Sequence, residues 1–137
     1  MKQEEKELLF VDLCARLPYG VKVNAQYKDG DGWKTEDRKI LGLYEDGQVY
    51  LDCVYTTIDC IKPYLRPMSS MTEDERKEYN DIVKNTIDFY DCPKSEEICF
   101  FIIPIDWLNA HHFDYRGLIE KGLAIEVTEE MYNIKEQ

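Results

Sequence analysis

The side chains best suited to metal or hydrolytic chemistry lie between residues 106 and 114. His111 and His112 are the only histidines of the chain, and Asp106 and Asp114 flank them. Imidazole and carboxylate groups together suit zinc or iron, so the cluster supports the hypothesis of a metal-dependent hydrolase. Adjacent histidines on a helix point about 100° apart, which disfavours binding of one ion by both. The structural alternative is that His111 packs beneath Trp107 and His112 ends a helix.

Cysteines are a second candidate for metal or nucleophilic chemistry. The five are scattered along the chain: Cys14, Cys53, Cys60, Cys92 and Cys99. Two pairs share a spacing of seven residues, whereas zinc sites in small domains use cysteines two to four residues apart. A catalytic thiolate also needs a neighbouring base, and the spacing places neither histidine beside a thiol. These thiols are therefore expected to be reduced, with Cys53 and Cys99 serving as small core residues.

No other motif indicates catalysis. The run Asp29-Gly30-Asp31-Gly32 lacks the glycine and glutamate that a calcium loop needs at its sixth and twelfth positions, so it predicts a turn. Phosphate-binding glycine loops, a nucleophile elbow and a His-Glu-x-x-His motif are all missing from the sequence. With 28 carboxylates, no acid/base pair can be singled out. The sequence therefore does not indicate an enzyme, and it implies no cofactor.

The first 67 residues predict one helix followed by short strands. An apolar arc covers more than one face of Glu4–Leu17, as in a helix that packs deeply against a core. Residues 21–28 alternate strictly, with Val21, Val23, Ala25 and Tyr27 on one face, which predicts a strand. Three further strands are predicted at Lys39–Tyr44, Gln48–Cys53 and Thr56–Lys62. A tight turn at Asp46-Gly47 joins the first two of these three, and Pro63 ends the last one.

The remaining residues predict mainly helices. Thr72 and Glu75 fit a capping box that opens a helix running to about Phe89. Ile98–Ile103 is apolar throughout and predicts a strand buried on both faces, or alternatively a short buried helix. The last predicted elements are helices at Ile105–His112 and Tyr115–Lys121, the second capped by Asp114 and ended by Gly122, and a strand at Leu123–Val127.

These elements predict a single α+β domain over residues 1–137. Residues 1–67 hold the N-terminal helix and a four-stranded antiparallel unit, arranged as an SH3-like half-barrel or a meander. Residues 68–137 hold the long acidic helix, the buried strand and two short helices, and they carry a net charge of −9.

Three segments are distinctive in detail. Their sequences are DLCARLPYGV (12–21), KPYLRPMSSMT (62–72) and WLNAHHFDYRGLIEKGLA (107–124). Together they resemble a group of small uncharacterised proteins carried by gut-bacterial phages and mobile elements. The resemblance covers most of the chain from residue 12 to residue 125. It implies an accessory protein that acts on a phage or bacterial component, and it implies no catalytic residue.

The charge balance narrows the classes of partner. A net charge of −11 disfavours direct nucleic-acid binding, which needs a basic surface, and disfavours anionic membranes for the same reason. No apolar run approaches the roughly 20 residues of a membrane span, and the first seven residues lack the pattern of a signal peptide. The expected location is the cytoplasm.

The sequence also contains residues of the types favoured at the centres of protein interfaces. The candidates for interaction are Tyr64, Arg66, Trp107, His111, His112, Asp114, Tyr115 and Arg116. Pro63 and Pro67 would hold the first two in an extended segment, although interior packing explains the same residues. The sequence therefore predicts a non-catalytic protein-binding accessory protein of phage or mobile-element type, with the metal-dependent hydrolase as its alternative.

Overall fold

Helices and two β-sheets make up the fold, which confirms the predicted α+β class. A computed structural model describes residues 1–52, 54–90 and 105–127. The helices are α1 (Gln3–Arg16), α2 (Glu73–Tyr90) and α3 (residues 105–110), with short 3-10 turns at Leu17–Tyr19, Ile58–Cys60 and Met68–Ser70. The strands are β1 (Lys22–Asp29), β2 (Gly32–Lys39), β3 (Gly42–Leu43), β4 (Gln48–Tyr50), β5 (Tyr55–Thr57), β6 (Ile61–Pro67), β7 (Phe113–Asp114) and β8 (Ile125–Glu126).

Strand β6 is the centre of the larger sheet. The strand order is β2-β1-β6-β7, and β8 also pairs with β6. The Arg66 N–H donates to the carbonyl of His112 at 2.8 Å, while the Leu65 carbonyl accepts from Val127 at 2.9 Å. Backbone groups of successive strand residues point to opposite edges, so the parallel strands β7 and β8 lie on opposite edges of β6. This one strand therefore connects the N-terminal and C-terminal parts of the chain.

The predicted alternation of the first strand is confirmed. Val21, Val23 and Ala25 are completely buried and Tyr27 is 6% exposed, and they all face one side of the sheet. Val21, Val23 and Ala25 pack with α1 in the main apolar core, whose fully buried members include Leu9, Leu13, Val49, Leu51, Leu65 and Leu118.

A second, smaller core lies between α2 and α3. Trp107, Leu108 and Phe113 are its buried members, and Tyr79 and Ile82 of α2 pack against them. Helix α2 begins as predicted. The Thr72 N–H donates to Glu75 Oε1 at 2.9 Å, and the Glu75 N–H donates to Thr72 Oγ1 at 3.1 Å. The capping box is therefore confirmed.

The second predicted strand, Lys39–Tyr44, was wrong in position. The partner of β1 is β2, which pairs with it over eight residues from Gly32 to Lys39. This strand is largely exposed and polar, so it carries no apolar alternation that would have revealed it. Of the predicted segment, Lys39 is the last residue of β2, and Gly42–Leu43 forms the separate short strand β3.

The fourth predicted strand, Thr56–Lys62, was also wrong. The chain forms β5, a 3-10 turn and then β6, which runs through Pro63 instead of ending there. Pro63 is the last β6 residue that pairs with β1, and pairing with β8 begins at Tyr64. Pro63, which has no N–H to donate, therefore lies at the point of β6 where pairing with β1 ends and pairing with β8 begins. The described residues among the first 67 form six strands in two sheets instead of the predicted four, and the SH3-like arrangement is not confirmed.

The last predicted helix, Tyr115–Lys121, is replaced by turns. Gly117 has a φ of +75°, and this left-handed conformation interrupts a right-handed helix at the middle of the segment. Gly122 takes the predicted left-handed conformation with φ +78°. The predicted segment Ile98–Ile103 lies outside the described residues, as do residues 128–137. No helix in the described ranges is long and apolar enough to cross a membrane.

Candidate functional site

Two buried ion-pair systems join the N-terminal and C-terminal parts of the chain. We call them together the arginine junction, defined by Asp12, Arg16, Arg66, Glu75 and Arg116. The first pair lies on α1, and the second connects β6 with α2. Segment 111–116 passes between them and supplies backbone carbonyls to both.

The first system is built on the i,i+4 spacing of Asp12 and Arg16, which places both side chains on one face of α1. Both residues are 0% exposed. Arg16 Nε donates to Asp12 Oδ2 at 2.7 Å, and Arg16 Nη2 donates to the carbonyl of Phe113 at 2.7 Å. Arg116 Nε donates to the other carboxylate oxygen of Asp12 at 3.1 Å. This carboxylate therefore binds two guanidinium groups from opposite ends of the chain.

The second system is a two-point pair between Arg66 and Glu75. Arg66 donates from Nη1 and Nη2 to the two carboxylate oxygens of Glu75 at 2.8 and 2.7 Å. The guanidinium carbon also lies 4.2 Å from the ring centroid of Phe113. Burial by itself raises the pKa of Glu75, but hydrogen bonds from Arg66 and Thr72 and the arginine charge outweigh it and lower this pKa to about 2.

Trp107 is the centre of an aromatic stack beside this junction. Its ring centroid lies 4.0 Å from that of His111 and 5.8 Å from that of Phe113, with nearly parallel planes. The indole N–H donates to Glu78 Oε1 of α2. His111 Nδ1 lies 2.9 Å from the carbonyl of Trp107. The expected packing of His111 against Trp107 is therefore observed.

His112 and Asp114 have structural surroundings as well. His112 is 8% exposed with a φ of +64°, and burial, followed by the charge of Arg16, lowers its pKa to about 3. The Asp114 carboxylate accepts the backbone N–H groups of Leu118 and Ile119, both at 2.9 Å. Asp114 is therefore a cap, as predicted, although the segment that it caps is a turn and not a helix.

The two tyrosines among the interaction candidates also form hydrogen bonds within the chain. The hydroxyl of Tyr64 donates to Asp37 of β2, and the hydroxyl of Tyr115 donates to Asn109 Oδ1 at 2.9 Å. The ring of Tyr115 lies 5.1 Å from the guanidinium carbons of both Arg16 and Arg116.

The eight predicted interaction residues therefore form a connected interior region, with Tyr64 at its margin. Arg66, Trp107, His112 and Asp114 are only 4–8% exposed. Their contact with a partner stays a prediction, and the contacts observed are those of interior packing.

No described feature favours the metal-dependent hydrolase. Over the described ranges, no group of three or more His, Cys, Asp or Glu side chains is arranged to hold a metal ion. Asp106 is exposed, whereas the carboxylate of Asp114 is occupied by two backbone N–H groups. Of the cysteines, Cys14 is exposed and Cys60 half-buried, and the other three lie outside the described residues.

The smaller sheet presents a surface that the sequence analysis missed. Its strand order is β3-β4-β5, and paired residues lie on the same face. One row across the sheet contains Gly42, Tyr50 and Tyr55. The next contains Tyr44, Gln48 and Thr57, since the Tyr44 N–H donates to the Gln48 carbonyl at 3.0 Å. We call this set of six positions the tyrosine face.

The tyrosine rings of this face contact one another and remain in solvent. Tyr50 and Tyr55 have ring centroids 4.9 Å apart, and those of Tyr44 and Tyr55 are 6.3 Å apart. Tyr55 is 56% exposed and Tyr44 is 47% exposed. A hydrogen bond with Tyr44 is the main cause of a raised pKa at Tyr55. None of the six positions carries a charge.

The sequence predicted the turn of this sheet but not the register that forms the face. The Asp46-Gly47 turn was predicted, and Gly47 has the expected positive φ of +90°. A two-residue turn at Asp46-Gly47 would pair Glu45 with Gln48 and would place Tyr44 and Tyr50 on opposite faces. The observed loop has three residues, so Tyr44 pairs with Gln48 and lies on the same face as Tyr50. Tyr55 lies beside them only because β4 pairs with β5. The strand in this part of the chain was wrongly predicted as Thr56–Lys62, so the pairing was not foreseen.

Comparison with protein-family models, with curated proteins and with solved structures found no match for this chain.

Proposed function

We propose that this chain is a non-catalytic, cytoplasmic protein-binding protein and that the tyrosine face binds its partner. The observation that carries the proposal is a group of three contacting tyrosines, two of them exposed and Tyr50 half-buried, on a sheet face without a charged residue. Tyrosine is enriched at interface centres because its ring buries a large area while few side-chain rotations are lost.

The absence of charge on this face is informative because the chain as a whole is highly charged. One third of its residues are Asp, Glu, Lys or Arg. Charged side chains are depleted at interface cores, where their desolvation is costly. The tyrosine face therefore fits a partner surface that is itself uncharged, with apolar groups against the rings and polar groups against the hydroxyls, Gln48 and Thr57.

The accessory role of phage or mobile-element type belongs to the same proposal. Its support is the resemblance of residues 12–21, 62–72 and 107–124. An accessory protein that acts by binding requires no catalytic centre, and its specificity resides in a surface such as this one.

Affinity capture with matched variants tests the proposal. Tagged wild type is compared with the double variant Tyr44→Ser/Tyr55→Ser on lysates of gut bacteria. The control is Trp33→Ser, because Trp33 lies outside the face and, at 65%, is more exposed than either tyrosine. We expect wild type and the control to retain the same protein and the double variant to lose it. High salt should weaken this binding without abolishing it, because salt screens charge pairs and leaves the ring contacts in place.

Two results would contradict the proposal. Retention of an identical set of proteins by the double variant would show that the face is not used. Release of the partner by salt alone would show that charged residues, and not the tyrosines, hold it. The partner could also be a second copy of the chain, which light scattering on the purified protein tests. In that case wild type has a mass of twice 16.2 kDa and the double variant has half the wild-type mass.

A further inference from the structure

A groove of about 570 Å³ lies beside the tyrosine face, between α1 and the turn that joins β3 to β4. Phe10, Val11 and Ile58 provide its apolar lining. Val11 is 51% exposed, which is high for a valine whose neighbours on α1 pack into the core. The volume lies in the range of sites that bind small molecules or a few side chains of a peptide.

The rim of the groove is acidic. Glu7, Glu45, Asp46 and Asp59 lie along it, and Lys6 is the one basic residue among them. Lys6 Nζ lies 3.4 Å from Asp59 Oδ2, so this lysine offsets one carboxylate and three remain. An apolar floor below a rim of net charge −3 is complementary to a ligand that carries positive charge next to an apolar group.

We propose that this groove binds a basic, amphipathic peptide segment of the protein partner. In this assignment an apolar side chain of the segment contacts Val11 and Phe10, and its Lys or Arg side chains pair with Glu7 and Glu45. Thr57 lines the groove and also belongs to the tyrosine face, so one partner can cover both surfaces continuously. This proposal rests on the proposed function, because it assumes that the partner bound by the tyrosine face also binds in the groove.

Charge argues against the other occupants of the groove. Residues 91–104 and 128–137, the two longer segments outside the described ranges, each have a net charge of −2. A second copy of the chain carries −11. All three would bring negative charge to a negative rim, so a basic segment of another protein is the occupant that the electrostatics favour.

Peptide selection tests the groove directly. Immobilised full-length protein is used to select from a phage-displayed library of random heptapeptides, and enriched peptides are then synthesised and titrated by fluorescence anisotropy. We expect enrichment of peptides in which Lys or Arg lies next to an apolar residue. Glu7→Lys/Glu45→Lys should weaken peptide binding at least tenfold. Val11→Ser should weaken it about threefold, because it removes an apolar contact between the groove and the peptide.

The control variant has the same change in net charge at a different place. Asp81→Lys/Glu120→Lys reverses two exposed carboxylates away from the groove and should weaken binding less than twofold at 0.15 M salt, where charges beyond about 8 Å are screened. Circular dichroism verifies that each variant is folded. Equal loss in both charge-reversed variants would overturn the proposal, because it would show unspecific attraction to an acidic protein.

Three further results would also overturn it. They are a selection without enriched sequences, enriched peptides without basic residues, and displacement of the peptide by equimolar spermine, which would show recognition of charge alone. Tyr44→Ser/Tyr55→Ser separates the two proposals. If this variant loses the partner but still binds the peptides, both proposals are supported. If partner capture survives in it while the peptides still bind, only the tyrosine face is contradicted.

Discussion

The arginine junction and the tyrosine face use the same kinds of residue in opposite ways. In the junction, Arg16, Arg66 and Phe113 are buried, and the guanidinium groups bind carboxylates and backbone carbonyls of the chain itself. On the tyrosine face, three rings contact each other while two of them remain about half exposed. Arg and Tyr are both typical of interface centres, so residue type alone does not distinguish these regions. Burial and internal partners do.

The difference also separates stability from recognition. A buried ion pair loses much more when one partner is removed than an exposed residue does when it is truncated. Substitutions in the junction should therefore affect folding, whereas substitutions in the tyrosine face should affect binding. The following predictions test that division, beginning with the largest effect.

Asp12→Ala should destabilise the fold by about 3–5 kcal/mol, because it leaves the fully buried Arg16 guanidinium without its carboxylate. Urea unfolding followed by tryptophan fluorescence measures the change. Asp29→Ala is the matched control, since Asp29 pairs with Lys34 at 2.8 Å while both side chains are more than half exposed. Its cost should stay below about 1 kcal/mol. Equal costs for the two variants would contradict the importance of burial.

Glu75→Gln should cost about 2 kcal/mol at pH 7, because Arg66 donates to both carboxylate oxygens and the amide offers only one acceptor oxygen and no charge. The folded-state pKa of Glu75, about 2, lies below its ordinary value of 4.5. The ionised carboxylate therefore stabilises the fold above about pH 4.5 and loses this effect as the pH falls towards 2. The difference between wild type and variant should shrink over that interval. A constant difference in urea unfolding down to pH 2.5 would show that the charge of Glu75 contributes nothing.

His112→Asn should flatten the pH dependence of stability below about pH 6.5. The pKa of His112 falls from 6.5 to about 3 on folding, so the unfolded chain takes up the proton first and acid favours unfolding between these values. One such proton contributes up to about 1.4 kcal/mol per pH unit. Asparagine suits the φ of +64° at this position. Thermal unfolding from pH 7 to pH 4 tests the prediction, and a variant that keeps the wild-type slope would contradict it.

Tyr55→Ser should cost less than about 1 kcal/mol, because it removes ring contacts at a position that is 56% exposed. Trp107→Ala, in the smaller core, provides the contrast at about 3–5 kcal/mol. Both are measured by urea unfolding followed by far-UV circular dichroism. A loss at Tyr55 as large as that at Trp107 would mean that the tyrosine face is needed for folding, and the interpretation of the capture experiment would change.

Local sequence signals predicted the elements whose stabilisation is local. The capping box of Thr72 and Glu75, the positive φ of Gly47 and the buried alternation of β1 were all predicted correctly. The strand β2 was missed because its pairing with β1, and not its own composition, makes it a strand. Strand β6 was missed in part because a proline is acceptable only where the neighbouring strand changes, which is a property of the assembled sheet.

The sequence by itself determined the α+β class, the position of α1 and the start of α2, and the supply of tyrosine, arginine and carboxylate residues. Hydrophobic period and capping act over a few residues, so they can be read without the fold. Tertiary structure decided which of those residues meet. Asp12 and Arg116 are 104 positions apart, and Arg66 reaches Glu75 only because β6 and the start of α2 converge there. Pairing of β3, β4 and β5 likewise brought three tyrosines to one uncharged surface, because strand register determines which side chains share a face.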